Sequence, residues 1–174
     1  MKGCTAVGLV VLLSTAVAAR AVAGEASQTS GIERHGTLLA GVGPSTAGFG
    51  LSAERYFARS RMSVFGGVGY VPAGGGSGIA GGGGLRGFTG GSRQRGFAEV
   101  AFSPLGRSLS AGANGLADEK ILYGPSLSLG YQLLASSGVT VMVSAGIGLE
   151  VNGPDDSPTA GPVVQIAVGH TWRR

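Results

Sequence analysis

The 174-residue sequence contains 35 glycines and 43% hydrophobic residues, but only 13% of its residues are charged. Its length suits one domain, and its charge content is well below the roughly one quarter that is usual for soluble domains. The net charge of +4 comes from scattered arginines without an aromatic-rich basic patch, so we expect no nucleic-acid partner.

Residues 1–23 have the layout of a secretory signal peptide. Lys2 gives a positive start, the apolar stretch "AVGLVVLLSTAVAA" follows, and small residues end the segment. We predict cleavage after Ala23, with Ala18 as the second choice, and then a short polar lead over residues 24–33. The single cysteine, Cys4, would leave with the signal, so we expect neither disulfides nor a thiolate metal site in the exported chain.

From residue 34 onward, apolar and small or polar residues alternate with the period of two that is typical of β-strands. Each alternating segment has roughly ten residues, the length that a tilted strand needs to cross a bilayer. The fourth segment, "GIAGGGGLRGFT", is also compatible with a flexible glycine linker. We predict eight strands, at residues 34–43, 48–57, 62–72, 78–89, 93–104, 123–134, 139–151 and 162–173.

The predicted connections alternate in length. The odd connections include the two longest, and they are residues 44–47, 73–77, 105–122 and 152–161. The even connections are all tight, and they are residues 58–61, 90–92 and 135–138. Long loops at one end of a sheet and short turns at the other are typical of outer-membrane barrels. Within the longest loop, the "ADEK" stretch (residues 117–120) is compatible with a helical turn or with a solvated charge cluster.

The segment "VTVMVSAGIGLEV" (residues 139–151) shows the two faces of such a strand. One face carries valine, isoleucine and leucine, and the other carries threonine, serine and glycine with one methionine and one glutamate. A soluble sandwich or barrel would turn the apolar face inward. A membrane barrel would turn it outward to lipid, and the lumen of an eight-stranded barrel is narrow enough to need small residues. The sequence therefore favours an all-β, eight-stranded antiparallel up-and-down transmembrane barrel over residues 34–174.

Charged and amide side chains share the face of the small residues. Strand parity predicts a polar network in the lumen, with a structural role rather than that of a proton relay or ion path, formed by Glu54, Arg86, Glu99, Gln132, Glu150 and Gln165. Arg95 lies on the same face near one end. An arginine at the bilayer midplane would cost about 2–4 kcal/mol. Parity points Arg55 outward, which is tolerable if the side chain reaches the membrane interface.

Outward aromatic residues gather near the predicted strand ends. Two such belts are expected where amphipathic rings meet the two interfaces of a bilayer. One predicted belt, toward the long loops, contains Phe49, Tyr70 and Phe102. The other, toward the tight turns, contains Phe57, Tyr131 and Trp172.

The signal segment, the eight amphipathic segments and the final strand "PVVQIAVGHTWRR" resemble small eight-stranded outer-membrane barrels, the group that includes the transmembrane domain of outer membrane protein A. The resemblance implies residence in the outer membrane of a Gram-negative bacterium, among outer-membrane lipids. In that family the barrel-assembly machinery recognises alternating apolar residues that lead to a terminal aromatic. The matching residues here are Val164, Ile166, Val168 and Trp172.

The imidazoles available for catalysis are His35 and His170. Nucleophilic catalysis needs a base within hydrogen-bond reach of a serine. Lipid A deacylases of this architecture are distantly similar, but in them a serine nucleophile follows the histidine by two positions, where this chain has Trp172. We therefore expect no catalytic site.

Asp155 and Asp156 lie in a predicted outer loop, where adjacent carboxylates could bind a cation, but their spacing matches no calcium loop. A solvated turn is the preferred interpretation, and we expect no metal and no cofactor.

These patterns predict a non-enzymatic barrel with a side-chain-filled lumen and a structural, surface-display or adhesion role. The display would act through the loop at residues 105–122, toward an unidentified extracellular partner, since loops are where such functions are found. Two alternatives stay open: a lipid-modifying outer-membrane enzyme, and a secreted soluble β-barrel that binds a small apolar ligand.

Overall fold

A computed structural model describes residues 34–57, 61–72, 78–89, 93–111, 117–151 and 158–173. The predicted signal peptide and polar lead lie outside these residues, as do Asp155 and Asp156. The strands are β1 (Arg34–Gly43), β2 (Gly48–Tyr56), β3 (Met62–Val71), β4 (Gly78–Phe88), β5 (Gln94–Ala111), β6 (Ala117–Leu134), β7 (Val139–Glu150) and β8 (Thr159–Arg173).

The eight strands form one closed antiparallel barrel in which every strand pairs with its neighbour in sequence and β8 closes on β1. Closure removes the free edges that an open sheet would leave unpaired. The predicted all-β, up-and-down barrel of eight strands is thus confirmed. Among the described residues, no helix is long and apolar enough to cross a membrane.

Residues alternate between the lumen and the outer surface along each strand, because successive side chains of a strand point to opposite faces. In β7, Thr140 and Met142 are fully buried, while Val141 and Val143 between and beside them are exposed. The apolar rows of the sequence therefore face outward, and the small and polar rows face the lumen.

The glycine-rich β4 is a full member of the barrel, so the alternative of a flexible linker is wrong. It pairs with β3 over its whole length, including Gly82 opposite Gly67. It also pairs with β5, where Arg86 stands opposite Glu99. Backbone hydrogen bonds to both neighbours hold a strand that has few side chains of its own.

The predicted long loop at residues 105–122 is mostly a β-hairpin, which corrects the sequence prediction. Strand β5 continues to Ala111 and β6 begins at Ala117, so the "ADEK" stretch lies in a strand rather than in a helical turn. In this extension the two strands pair only with each other, with a register shift between Pro104 and Gly106. We call this extension, residues 105–111 and 117–122, the ribbon. Its strands lack the apolar alternation of the barrel, but backbone pairing does not require that alternation.

The connection between β1 and β2 is short and folds into the barrel. Residues Pro44–Thr46 form one turn of 3-10 helix, which we call the inward turn. Gly43 before it and Gly48 after it have positive φ angles of 132° and 96°. Ala47 is left-handed with φ 52°, a conformation that costs a residue with a Cβ about 1–2 kcal/mol. The inward turn and Ala47 are buried, and the turn contacts β3, β4, β5 and β8 as well as its own strands.

Candidate functional site: the filled lumen

The lumen has two halves with different contents. The lower half lies toward the tight connections at residues 58–61, 90–92 and 135–138, and large side chains fill it. The upper half lies toward the other end, where glycines and serines line the wall together with Ala80 and Val163, and the inward turn occupies much of the space.

An ion-paired cluster forms the centre of the lower half. Arg86 of β4 lies between two carboxylates, with its Nη1 3.0 Å from Glu54 Oε2 of β2. Its Nε donates a hydrogen bond of 2.9 Å to Glu99 Oε2 of β5, and its Nη2 also pairs with that oxygen. All three side chains are buried. Because charges in a low-dielectric interior are stable only when paired, these three residues depend on one another.

Aromatic rings enclose both buried arginines of the lower half. The Arg86 guanidinium lies 4.7 Å from the ring centroids of Phe65 and Phe97, on β3 and β5. Arg95 lies 3.4 Å from the centroid of Phe88. Cation–π contacts of this kind contribute about 2 kcal/mol when the cation is desolvated, so the rings provide part of the solvation that water would otherwise give.

Hydroxyl groups extend the cluster around the barrel wall. Tyr56 donates to Glu54 with an O–O distance of 3.1 Å, and Ser63 donates to the same carboxylate. The Tyr56 hydroxyl is 3.0 Å from that of Thr37, which is 2.8 Å from the hydroxyl of Thr171. Thr140 continues the chain, 2.6 Å from Thr171. Strands β1, β2, β3, β7 and β8 are thereby joined through one hydrogen-bonded network.

In the upper half, backbone supplies a large part of the filling, beside the side chains of Leu105 and Val163. A Cβ added at Gly67 would come within 2.1 Å of the carbonyl oxygen of Ser45, and one at Gly69 within 2.2 Å of that of Thr46. The glycines of β3 are therefore required by the inward turn, which rests directly on their Cα atoms.

Few polar contacts attach the inward turn to the wall. The Ser45 backbone N–H donates to Gln165 Oε1 of β8 at 3.0 Å. The Thr46 hydroxyl bonds to the carbonyls of Gly43 and Gly48, at the two ends of the turn itself. Among the residues that the structure describes, the bond to Gln165 is the one hydrogen bond from the turn to a strand other than β1 or β2.

Several buried hydroxyls near this region have no hydrogen-bond partner in the protein. They belong to Ser45, Ser52, Ser103, Ser126 and Ser128. Buried polar groups of this kind are normally satisfied, and ordered water is the usual partner when no protein atom is available. The upper half is thus polar but sparsely hydrogen-bonded within the protein.

The structure brings four of the predicted lumen residues into one network. Glu54, Arg86 and Glu99 form the ion-paired cluster, and Gln132 joins it through Tyr56, to whose hydroxyl its Nε2 donates at 3.5 Å. Gln132 also accepts a bond of 2.6 Å from Arg95 Nε, whereas Gln165 holds the inward turn. Glu150 lies at the upper end of β7, partly exposed. No hydrogen bond or ion pair within the described part of the chain connects Glu150 to the other five.

Sequence reasoning missed the inward aromatics and the inward turn. Phe65, Phe88 and Phe97 are buried in the lumen, although we expected small residues there. Phe88 and Phe97 each lie two residues from Arg86 or Glu99 on the same strand, and Phe65 lies two residues from Gly67, so strand parity could have identified all three. No comparable signal marks the inward turn, because "GPST" is an ordinary turn sequence.

The outer surface carries the predicted aromatic and final-strand residues. Tyr131 is partly exposed, and its hydroxyl donates to Gln94 Oε1 at 3.1 Å. Arg55 is exposed, as predicted by parity. The remaining outward residues are exposed, and they are Phe49, Phe57, Tyr70, Phe102, Val164, Ile166, Val168 and Trp172.

Both histidines are exposed. His170 packs edge-on against Trp172, with ring centroids 5.5 Å apart. His35 is exposed near the start of β1. In the described ranges, no group of three or more His, Cys, Asp or Glu side chains is arranged to hold a metal ion.

Comparison with known proteins gave no match: no family model, no curated protein and no solved structure is significantly similar to this chain.

Proposed function

We propose that the chain is a small integral outer-membrane β-barrel that acts structurally and displays the ribbon at the cell surface. The supporting observation is that the polar face of the sheet points into the barrel and the apolar face points outward, which is the reverse of the arrangement in a soluble barrel. Ion pairs and hydroxyls fill the closed interior, whereas large apolar side chains cover the outside on every strand. Exposed examples, one from each strand in order, are Leu38, Leu51, Val68, Leu85, Val100, Leu127, Val143 and Ile166.

The exposed apolar surface makes lipid the fitting solvent for this barrel. In water, contiguous apolar patches beyond a few hundred Å² are rare on monomeric proteins and lead to association. In a bilayer the same surface is the ordinary contact with acyl chains, and polar residues belong inside. Aromatic rings at both ends of the strands suit the two interfaces.

The lumen supports a structural role better than binding of a small apolar ligand in a secreted barrel. Such a ligand would need an apolar cavity of a few hundred Å³. Arg86, its two carboxylate partners and the flanking rings occupy the lower half, and the inward turn occupies the upper half. The ribbon, by contrast, projects beyond the paired barrel at the end where long loops of outer-membrane barrels face outward.

Membrane fractionation with a heat-modifiability gel tests the location. The protein should stay with the outer membrane until detergent is added, and boiled and unboiled samples should migrate differently. Release by osmotic shock without detergent would contradict the proposal and favour the secreted barrel.

Epitope insertion tests the display role. An epitope placed between residues 113 and 114, in the segment of the chain that connects the two strands of the ribbon, should bind antibody on intact cells. The matched control carries the same epitope between residues 136 and 137, in a tight connection, and should bind antibody only after the outer membrane is permeabilised. The reverse pattern would contradict the proposed orientation.

A further inference from the structure

The inward turn closes the upper half of the lumen in a manner that permits opening. Where large side chains fill a barrel, each is attached to its own strand, so the filling cannot leave as a unit. Here much of the filling is one short backbone segment, and among the described residues its one hydrogen bond to the far wall is that from Ser45 to Gln165. We propose that the inward turn is a removable plug, and that its withdrawal converts the upper half into a water-filled vestibule that ends at Arg86.

The two ends of the inward turn have the geometry of hinges. Gly43 and Gly48 flank it, both with φ in the region that residues with a Cβ rarely adopt. Glycine can leave that region for an extended conformation without steric cost. Hinges are commonly a few residues at the ends of elements that absorb large φ and ψ changes.

The wall around the turn would not collapse into the vacated space. Gly67 and Gly69 of β3 and Gly82 of β4 present no side chains that could swing inward. Strand pairing fixes their backbones, because Gly67 and Gly69 pair with both β2 and β4, and Gly82 pairs with Gly67 of β3. The space that the turn leaves is therefore retained.

The same wall is suited to water. Ser52, Ser103 and Ser126 have buried hydroxyls without a protein partner, on three different strands. Water can satisfy such groups when it has access to them. The wall also carries buried apolar side chains, among them Ala80 and Val163, but the serine hydroxyls between them give water polar groups to bind.

The floor of the vestibule is the ion-paired cluster. Arg86 is bound to carboxylates on β2 and β5 and lies between two rings. Strands β2 to β5 contribute to this layer, and the buried side chains of Leu39, Met142 and Ala167, from β1, β7 and β8, form one hydrophobic cluster with Phe97, so the layer stays closed when the turn moves. The opened barrel accordingly admits water and small solutes from the ribbon end without forming a continuous channel.

Cysteine labelling tests this inference in a Cys4→Ser background. Ser103→Cys places a thiol on the upper wall, and Thr140→Cys places a matched buried thiol below the floor. Each is combined with the native turn and with residues 44–47 replaced by Asn-Gly, a two-residue hairpin turn. A small charged methanethiosulfonate should label Ser103→Cys slowly with the native turn and rapidly with the short turn. Thr140→Cys should stay protected with both turns.

Gln165→Ala provides a second variant that keeps the native turn. Loss of one hydrogen bond should raise the opening equilibrium, and with it the labelling rate of Ser103→Cys, by about fivefold. Equal rates at Ser103→Cys for native turn, short turn and Gln165→Ala would overturn the plug. Labelling of Thr140→Cys in the short-turn protein would overturn the closed floor. Because labelling can be measured on the folded barrel in detergent, its result is independent of whether the protein resides in a membrane.

Discussion

The two halves of the lumen are filled in different ways. The lower half buries two arginines and two glutamates with aromatic rings between them, whereas the upper half buries a piece of backbone against glycine. The charged residues of the lower half depend on one another, since removing one partner of an ion pair leaves a buried charge without compensation. The upper half depends on the absence of side chains, so it is sensitive to added atoms rather than to removed ones.

The largest expected effect comes from breaking the ion-paired cluster. Arg86→Met should lower the free energy of unfolding by about 3–5 kcal/mol, because Glu54 and Glu99 would stay buried without their counter-charge. Urea unfolding in lipid vesicles measures this change. Arg55→Met is the matched control, and it should change stability by no more than about 0.5 kcal/mol because the Arg55 side chain is exposed.

A triple variant separates charge from packing. In Arg86→Met combined with Glu54→Gln and Glu99→Gln, most of the lost stability should return, because no uncompensated charge stays buried. A triple variant as unstable as Arg86→Met alone would show that the guanidinium acts through its contacts with Phe65 and Phe97 rather than through its charge.

A pair of adjacent glycines tests the upper half. Gly67→Ala should destabilise the barrel by about 1–3 kcal/mol, the usual cost of overpacking, because its Cβ would overlap the Ser45 carbonyl. Gly66→Ala should be neutral or stabilising by up to about 1 kcal/mol, since its Cβ points outward and meets nothing closer than 3.9 Å. Equal effects of the two substitutions in the same unfolding experiment would show that the inward turn does not rest on β3.

The barrel itself was predictable from sequence because alternation requires only the identity of each residue. Strands β1 to β4 and β7 begin and end within a residue or so of the predicted positions. The ribbon was missed because its backbone pairing leaves no apolar pattern. The inward turn was missed because its burial depends on glycines of β3, which are adjacent to it in space but not in sequence.

Part of the lumen was also predictable, because parity alone places Glu54, Arg86 and Glu99 on one face. Parity could not show that Arg86 faces both carboxylates, because that depends on the register of β4 against β5 and on the closure of the barrel. Nor could it separate Glu150, whose position near the end of β7 leaves it outside the cluster.

The smallest expected effects compare hydroxyls of the two halves. Thr171→Val removes the central member of the threonine chain in the lower half and should cost about 1–2 kcal/mol, because Thr37 and Thr140 lose their shared partner. Ser126→Ala in the upper half removes a hydroxyl without a protein partner and should change the unfolding free energy by less than about 0.5 kcal/mol. Equal losses would contradict the contrast between the two halves.

The most direct test of the account asks what the outer surface touches. The chain has one tryptophan, Trp172, which is exposed at the lower end of β8. In vesicles of brominated phospholipid, bromines near the headgroup should quench its fluorescence most strongly. In Trp172→Phe combined with Ile166→Trp, bromines deep in the acyl chains should quench most strongly, because Ile166 lies farther along the outward row. Insensitivity of both proteins to brominated lipid, with quenching by aqueous iodide, would contradict the central claim that the apolar rows contact acyl chains.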